Sequence, residues 1–277
     1  MGILDIIPSK YRHRIADPVR SVSMWLKHTL WYTLHPHDPD YHGIPIIINN
    51  FNRLECLKKL VNALEGRGYL NIHILDNHST YPPLLDWYAA CPYEVIRLDR
   101  NIGYQAIWES GVYDRFKHSF YVYTDSDVVP DKDCPEDFMK QFMVVLRKYP
   151  RCLKVGFGLR IDDLPDCFAQ KEAVIANEMR FWTEPLESGL YKAQIDTTFA
   201  LYRPYCYGPA NIHHLMIRTG KPYVARHLPW YSDSANLSEE ERNYIQTARQ
   251  STHWTKQMKN ETNNNKEHES CCFNDLP

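Results

Sequence analysis

The sequence predicts an α/β protein built on a Rossmann-like, mostly parallel sheet flanked by helices. Three observations lead there. Short apolar strands alternate with helix-spaced segments from Ile44 to Leu159, and right-handed crossovers turn that alternation into parallel pairing. Each strand runs out into polar residues, at the edge where open α/β sheets bind ligands. The length of 277 residues suits one large α/β domain or two small ones.

The elements follow in order. Ile44-Pro45-Ile46-Ile47-Ile48-Asn49 is an apolar strand ending in Asn49-Asn50. Arg53 to Leu64 carries Leu54, Leu57, Leu60, Val61 and Leu64 at helical spacing, and Gly66 and Gly68 stop it. Leu70 to Leu75 is a second strand, ending in Asp76-Asn77. Pro82-Pro83 opens a helix through Trp87. Glu94 to Leu98 is a third strand, Gly103 to Tyr113 a helix, and Phe120 to Tyr123 an aromatic, β-branched fourth strand. Asp137 to Leu146 is helical, and Leu153 to Leu159 is a fifth strand with glycines inside it. Beyond Leu159 the alternation stops and the chain turns rich in aromatics and prolines, which suits a second part made of loops and mixed strands. The segments are therefore 1–43, an N-terminal stretch; 44–160, the Rossmann-like half; 161–247, an acceptor and catalytic half; and 248–277, a polar tail that reads as disordered.

Composition removes several classes. A net charge of -2 argues against nucleic acid as a partner, since such binders show a strongly basic face. Eight cysteines without zinc-site spacing, and no visible signal peptide, read as the reduced thiols of a cytoplasmic protein. No apolar run approaches the roughly 20 residues that span a bilayer. No G-x-G-x-x-G follows the first strand and no G-x-x-x-x-G-K-[ST] occurs anywhere, so neither a dinucleotide fingerprint nor a P-loop is present. Residues 9–34 mix Lys10, Arg12, Arg14, Arg20 and Lys27 with Val22, Met24, Trp25, Leu26, Leu30, Trp31 and Tyr32, against one acid, Asp17. Such a basic amphipathic helix can lie peripherally on the cytoplasmic face of an anionic membrane. The competing and preferred reading is a helix that packs on the body through its Trp residues.

The junction behind the fourth strand carries most of the chemistry. Thr124-Asp125-Ser126-Asp127 places two carboxylates, one residue apart, where the strand runs out. Paired carboxylates there suit a hard divalent cation that also holds phosphates, although Asp and Ser are equally at home in a solvated turn.

The order of polar residues at the strand ends resembles the GT-A glycosyltransferases, in particular the inverting family-2 type. Asn50-Phe51-Asn52-Arg53 is similar to their T-Y-N-R, which lies against the nucleoside. Asp76-Asn77-His78-Ser79-Thr80 looks like their D-D-G-S-T, whose first Asp accepts from the base, usually uracil. Arg100-Asn101-Ile102-Gly103 resembles their N-x-G loop near the diphosphate, and Asp125-Ser126-Asp127 takes the place of the metal-binding D-x-D. The likeness covers roughly Ile44 to Asp131. It departs at Ile107-Trp108-Glu109-Ser110-Gly111, where the family has A-R-N-x-G, and at Asn77-His78, where Asp-Gly is usual.

The resemblance implies a GT-A fold and a metal-dependent, inverting transfer from a nucleotide-sugar, most simply a UDP-sugar, to a glycan or lipid-linked hydroxyl. It implies Mn2+ or Mg2+ on Asp127 and Asp125. It places Asn50, Asn52, Arg53, Asp76, Asn77, Asn101, Gly103, Asp125 and Ser126 around the donor. Leaving nucleoside diphosphate gains charge that a cation stabilises, and the attacking hydroxyl needs a general base, usually Asp or Glu. Asp196 is the first candidate, because strand-like residues on both sides predict partial burial and a raised pKa. Asp162, directly after the fifth strand, is the second. Many resembling enzymes recruit a C-terminal histidine as a further metal ligand, and His227, in an apolar-aromatic segment, is the candidate here; the neighbouring Arg226 could hold a phosphate oxygen. Phe181-Trp182 and Trp230-Tyr231 are stacking platforms or core.

Two rivals remain. A haloacid-dehalogenase-like phosphatase would use Asp125 as nucleophile, Asp127 as acid/base and Asp162-Asp163 as the later pair, but three strands precede its nucleophile strand and Asn50, Asp76 and Asn101 would have no task. A binding module for nucleotides or carbohydrates, its catalysis lapsed, would keep the sheet without needing both carboxylates.

Overall fold

The computed structural model describes residues 22–23, 25–207 and 215–248. The chain runs through α1 (22–23 and 25–34), β1 (Ile46–Asn50), α2 (Glu55–Glu65), β2 (Ile72–Asp76), α3 (Pro82–Ala90), β3 (Glu94–Arg97), α4 (Ala106–Glu109), β4 (Tyr121–Asp125) and β5 (Val128–Pro130). It continues with α5 (Phe138–Lys148), β6 (Cys152–Leu159), α6 (Lys171–Met179), β7 (Pro185–Glu187), β8 (Leu190–Lys192), β9 (Ala200–Tyr202), β10 (Leu215–His227) and α7 (Glu239–Thr247).

All ten strands join one sheet in the order β3-β2-β1-β4-β9-β6-β10-β8-β7, with β5 paired to β10. β1 to β4 are mutually parallel and β6 is parallel to β10, while β9 lies antiparallel between β4 and β6. The mixed, mostly parallel Rossmann-like sheet flanked by helices that the sequence predicts is thus the fold of the chain. The strands of the second half continue the same sheet.

The pleat sorts β1 by alternation. Ile46 and Ile48 pack with Leu57, Leu60 and Leu64 of α2 and Phe138 and Phe142 of α5 on one face, and Ile47 packs with Ile107, Trp108 and Tyr123 on the other. Leu57, Leu60, Val61 and Leu64 are all buried, each contributing about 1.5–3 kcal/mol to holding α2 on the sheet. The parallel register then decides where function can sit. Asn50 stands beside Asp76 and Asn49 beside Asp125, so the polar ends of β2, β1 and β4 share one edge.

Three local expectations are corrected. The helix predicted over 103–113 is only α4, because Gly111 takes φ +80° and a 3-10 turn over Val112–Arg115 follows. The fourth strand extends to Asp125, whose amide donates to the Thr197 carbonyl at 3.1 Å. The alternating run Leu190–Ile195 is a strand only to Lys192. At the N-terminus α1 docks through the buried Trp31, as preferred, while Trp25 and Leu26 stay more than half exposed. Residues 1–21 and the tail from 249 lie outside the described residues. No helix among the described residues is long and apolar enough to cross a membrane.

Candidate active site at the strand ends

β4 delivers Asp125 within its last hydrogen-bonded position, and Ser126-Asp127 turn from it into β5. The turn is fixed on both sides. The Ser126 amide donates to the Asn49 carbonyl at 3.1 Å, and the Leu228 amide donates to the Asp127 carbonyl at 2.9 Å. That second bond brings the end of β10, and with it His227, over the acidic pair.

The two carboxylates differ in surroundings. Asp125 accepts from the Thr197 hydroxyl at 2.5 Å and from the Asn49 amide at 3.4 Å. Burial first, then the charges of Asp127 and Asp196, push its pKa up to about 8. Asp127 has one oxygen 3.6 Å from His227 Nε2 and the other 3.6 Å from Arg53 Nε. Burial holds the His227 imidazole below its ordinary pKa, so it is neutral and keeps a lone pair. Its ring lies 4.6 Å from that of Trp230.

Asp127 Oδ1 and His227 Nδ1 are both buried without a hydrogen-bond partner. Leaving such atoms unpaired costs about 1–3 kcal/mol each, and a carboxylate oxygen with a neutral imidazole is a donor set for a divalent cation. No group of three or more His, Cys, Asp or Glu stands close enough to hold a metal among the described residues. The protein would therefore supply Asp127 and His227, leaving positions for phosphate oxygens and water, as Mg2+ sites commonly do.

Arg53 closes the other side. Its side chain is 6% exposed. It donates to both oxygens of Glu241 at 2.9 and 3.1 Å and stacks 3.8 Å from the centroid of Tyr244. Glu240 accepts from the Leu54 and Glu55 amides at 2.9 and 3.0 Å, capping the N-terminus of α2. α7 is thereby tied across the β1 loop. Sequence reasoning missed it. The signal was there: Ser238 accepts from the Glu241 amide at 3.1 Å, the S-x-x-E capping arrangement.

The remaining residues of the resemblance hold the loops. Asn52, at φ 51°, accepts from the Thr80 and Tyr81 amides at 2.7 and 3.0 Å and donates to Thr247 at 2.9 Å. Asn50 donates to the Tyr88 hydroxyl at 2.8 Å. Asn77 accepts from the Ile102 amide at 2.7 Å and donates to the Gly103 carbonyl at 2.8 Å. Asn101 accepts from the Gly103 amide at 2.9 Å, and Gly103 turns at φ +89°. Of these, Asn101 lines a cleft of about 400 Å³, together with Phe51, His78, Thr80, Asp99, Arg100 and Thr247.

Three expected placements and one expected burial are corrected. Asp76 is fully buried, bound to Arg97 Nε at 3.0 Å and Tyr88 at 3.2 Å, so it braces the loop instead of offering an oxygen to a base. Arg226 is held by Asp131 and Asp163 and is not free for a phosphate. Asp162 is paired with Lys221 and with Arg160, and the Lys221 ammonium foremost keeps its carboxyl below the usual range, which makes it a poor proton acceptor. Asp196 is exposed, not partly buried: Ile195 and Thr197 turn inward on either side of it, so its side chain points out. Lys154, buried on β6, anchors that loop by donating to the Asp196 carbonyl at 2.9 Å. The charge of Asp196 nevertheless helps to raise the pKa of Asp125. Of the aromatic platforms, Trp182 packs against Gly158, and Trp230 backs His227.

Neither protein-family models nor curated proteins match the sequence. Solved structures do. GalNAc-T7 crystallised with UDP, GalNAc and Mn2+ is similar at TM-score 0.47 and 13% identity, over 69% of this chain and 44% of that one. S. aureus TarS is similar at TM-score 0.40 and 12% identity, over 78% of this chain and 42% of that one, or 69% of its 1–349 fragment. The chain spans less than half the length of the two longer chains.

Proposed function

We propose that the protein is a GT-A-type glycosyltransferase that moves a sugar from a nucleotide-sugar, most simply a UDP-sugar, to a hydroxyl of a glycan or lipid-linked acceptor, with inversion. The observation that carries this reading is the buried, unpaired Asp127 Oδ1 just past the end of β4, 3.6 Å from His227 Nε2. Asp127 and His227 would hold Mn2+ or Mg2+, which when bound supplies positive charge against the leaving diphosphate. Ser126 and the Asn101–Gly103 loop approach the donor with backbone and small side chains. Asp125 is held in place by the Thr197 hydroxyl, from which it accepts, and burial and the charge of Asp127 push its pKa up. Asp196, exposed at the mouth, takes the proton of the attacking hydroxyl. Lys154 fixes its backbone.

The phosphatase reading fits poorly. A nucleophilic Asp125 needs an ionised carboxylate free of other partners, whereas this one accepts from Thr197 at 2.5 Å and from Asn49 at 3.4 Å and has its pKa pushed up to about 8.

The test is nucleotide release from a panel of UDP-sugars with Mn2+, alongside thermal stabilisation by each. Asp127→Ala abolishes transfer and weakens Mn2+-dependent UDP binding. Near-normal transfer by that variant defeats the assignment, and turnover of p-nitrophenyl phosphate in place of UDP release favours the phosphatase.

A further inference from the structure

α1 is docked by one face and bare on the other. His28 Nε2 lies 3.0 Å from the Pro204 carbonyl oxygen, Trp31 donates to the His118 carbonyl at 3.0 Å, and the Trp31 ring meets Phe120 edge-on. On the opposite side Val22, Trp25, Leu26, Leu30 and Leu34 are 55–65% exposed. Val22, Leu26, Leu30 and Leu34 are four residues apart, so they form one row along the helix, with Trp25 beside it. Next to this row is a groove of about 760 Å³, whose lining includes Lys27, Trp31, Lys117, His118 and Tyr205 and no acidic residue. Lys27 lies 5.9 Å over the Tyr205 ring, and Lys117 is paired with Asp114.

We infer that this face of α1 and its groove dock on an anionic lipid surface. A contiguous apolar row of this kind on a soluble fold marks an interaction site. Charge selects the partner. Residues 9–34 carry Lys10, Arg12, Arg14, Arg20 and Lys27 against Asp17 alone, the complement of anionic headgroups. A second copy of the chain fits less well, because a two-fold contact sets the same patch against itself and brings like charges together. The segment 249–277 offers Trp254, Met258, Phe273 and Leu276 scattered among polar residues, a poor cover for a continuous row. The geometry also keeps the cleft free. Lys117 and His118 lie just before β4 and Asp125 ends it, so the lipid face and the acidic pair are separated by the length of that strand, about 17 Å.

The experiment is co-sedimentation of the full chain with vesicles of phosphatidylcholine alone and of phosphatidylcholine mixed with phosphatidylglycerol. Binding is expected to the mixed vesicles, to weaken with added salt, and to fall roughly tenfold or more in Leu26→Glu/Leu30→Glu. Far-UV circular dichroism and melting establish that this variant is folded, and Trp25→Ser serves in its place if it is not. Equal binding to both vesicle types, no binding to either, or undiminished binding by the folded variant overturns the inference. So does a concentration-dependent dimer in light scattering that the substitutions abolish, which would make a second copy the occupant.

Discussion

Glu241→Gln probes the least local feature of the site, the dependence of Arg53 on a helix at the far end of the described chain. The native pair is nearly dry, with side-chain exposures of 6% and 13%. At 2.9 Å and an effective dielectric near 20, its gross attraction is about 6 kcal/mol. Removing one partner of a buried pair costs about 3–5 kcal/mol, because the other charge stays buried. Two things reduce that here. Asp127, 3.6 Å from Arg53 Nε, retains about 4–5 kcal/mol of gross attraction, and the Gln carbonyl still accepts one hydrogen bond. The net loss is about 2–3 kcal/mol, which for a chain of this size lowers Tm by roughly 4–12 °C. A second effect follows from the same geometry. Arg53 freed from Glu241 turns fully to Asp127 and competes with a cation there, so Mn2+-dependent UDP binding weakens although Glu241 touches neither. Calorimetric melting, with and without UDP and Mn2+, reads both. A Tm within about 1 °C of the parent, or unchanged UDP binding at a lowered Tm, refutes the coupling.

Asp196→Asn should leave UDP binding intact and lower kcat by about 100-fold or more, the usual range for a general base; steady-state kinetics with KM reported separately decide it, and joint loss of binding and turnover counts against the role. Burial, then the charge of Arg203, pushes the His28 imidazole down to about 4. The unfolded chain, with a pKa near 6.5, then binds the proton first, so stability is intact above about pH 6.5 and falls by up to about 3 kcal/mol as the pH drops toward 4. Urea unfolding across that window should show a shallower slope in His28→Leu, and an unchanged slope removes His28 as the cause. Gly158→Ala would put a Cβ 2.5 Å from the Trp182 ring and 2.6 Å from the Thr219 carbonyl oxygen inside the sheet; a loss of roughly 1–3 kcal/mol with an altered Trp near-UV signal is expected, and a parent-like melt says that the contact relaxes freely.

What the sequence made legible was periodic or punctuated. β1, α2 and β2 follow from apolar spacing, and the polar residues just past each strand marked one shared polar edge because the register of parallel strands brings Asn49 beside Asp125 and Asn50 beside Asp76. His227 was singled out by its apolar-aromatic segment near the end of the second half, and the structure places its Nε2 3.6 Å from Asp127. The failures share a physical reason. Asp162, Arg226 and Asp76 are ordinary titratable residues until one knows their partners, and Lys221, Asp131 and Arg97 lie 21 to 95 positions away. Asp196 was misjudged because an alternating pattern does not say where pairing stops: β8 ends at Lys192 and β9 starts at Ala200, which leaves a loop free to turn its carboxylate outward. Glu239-Glu240-Glu241 reads locally as a solvated helix start, yet two of the three acids reach across to Arg53 and to the N-terminus of α2.

Those long-range pairings determine the charge of the centre. Two carboxylates one residue apart at a strand end repel, and the fold limits the repulsion in two ways. Burial and the charge of Asp127 push the Asp125 pKa up, which favours its protonated form, and Arg53 sets a positive group 3.6 Å from Asp127. Arg53 is shared with Glu241, so its field at Asp127 is only partly spent there. Asp127 and His227 would hold a cation whose charge Arg53 opposes, and that opposition would be smallest while Glu241 holds the guanidinium to α7. The site is therefore not confined to the strand ends: α7, bonded through Arg53, Asn52 and the α2 N-terminus, adjusts the affinity of the acidic pair for positive charge without touching it.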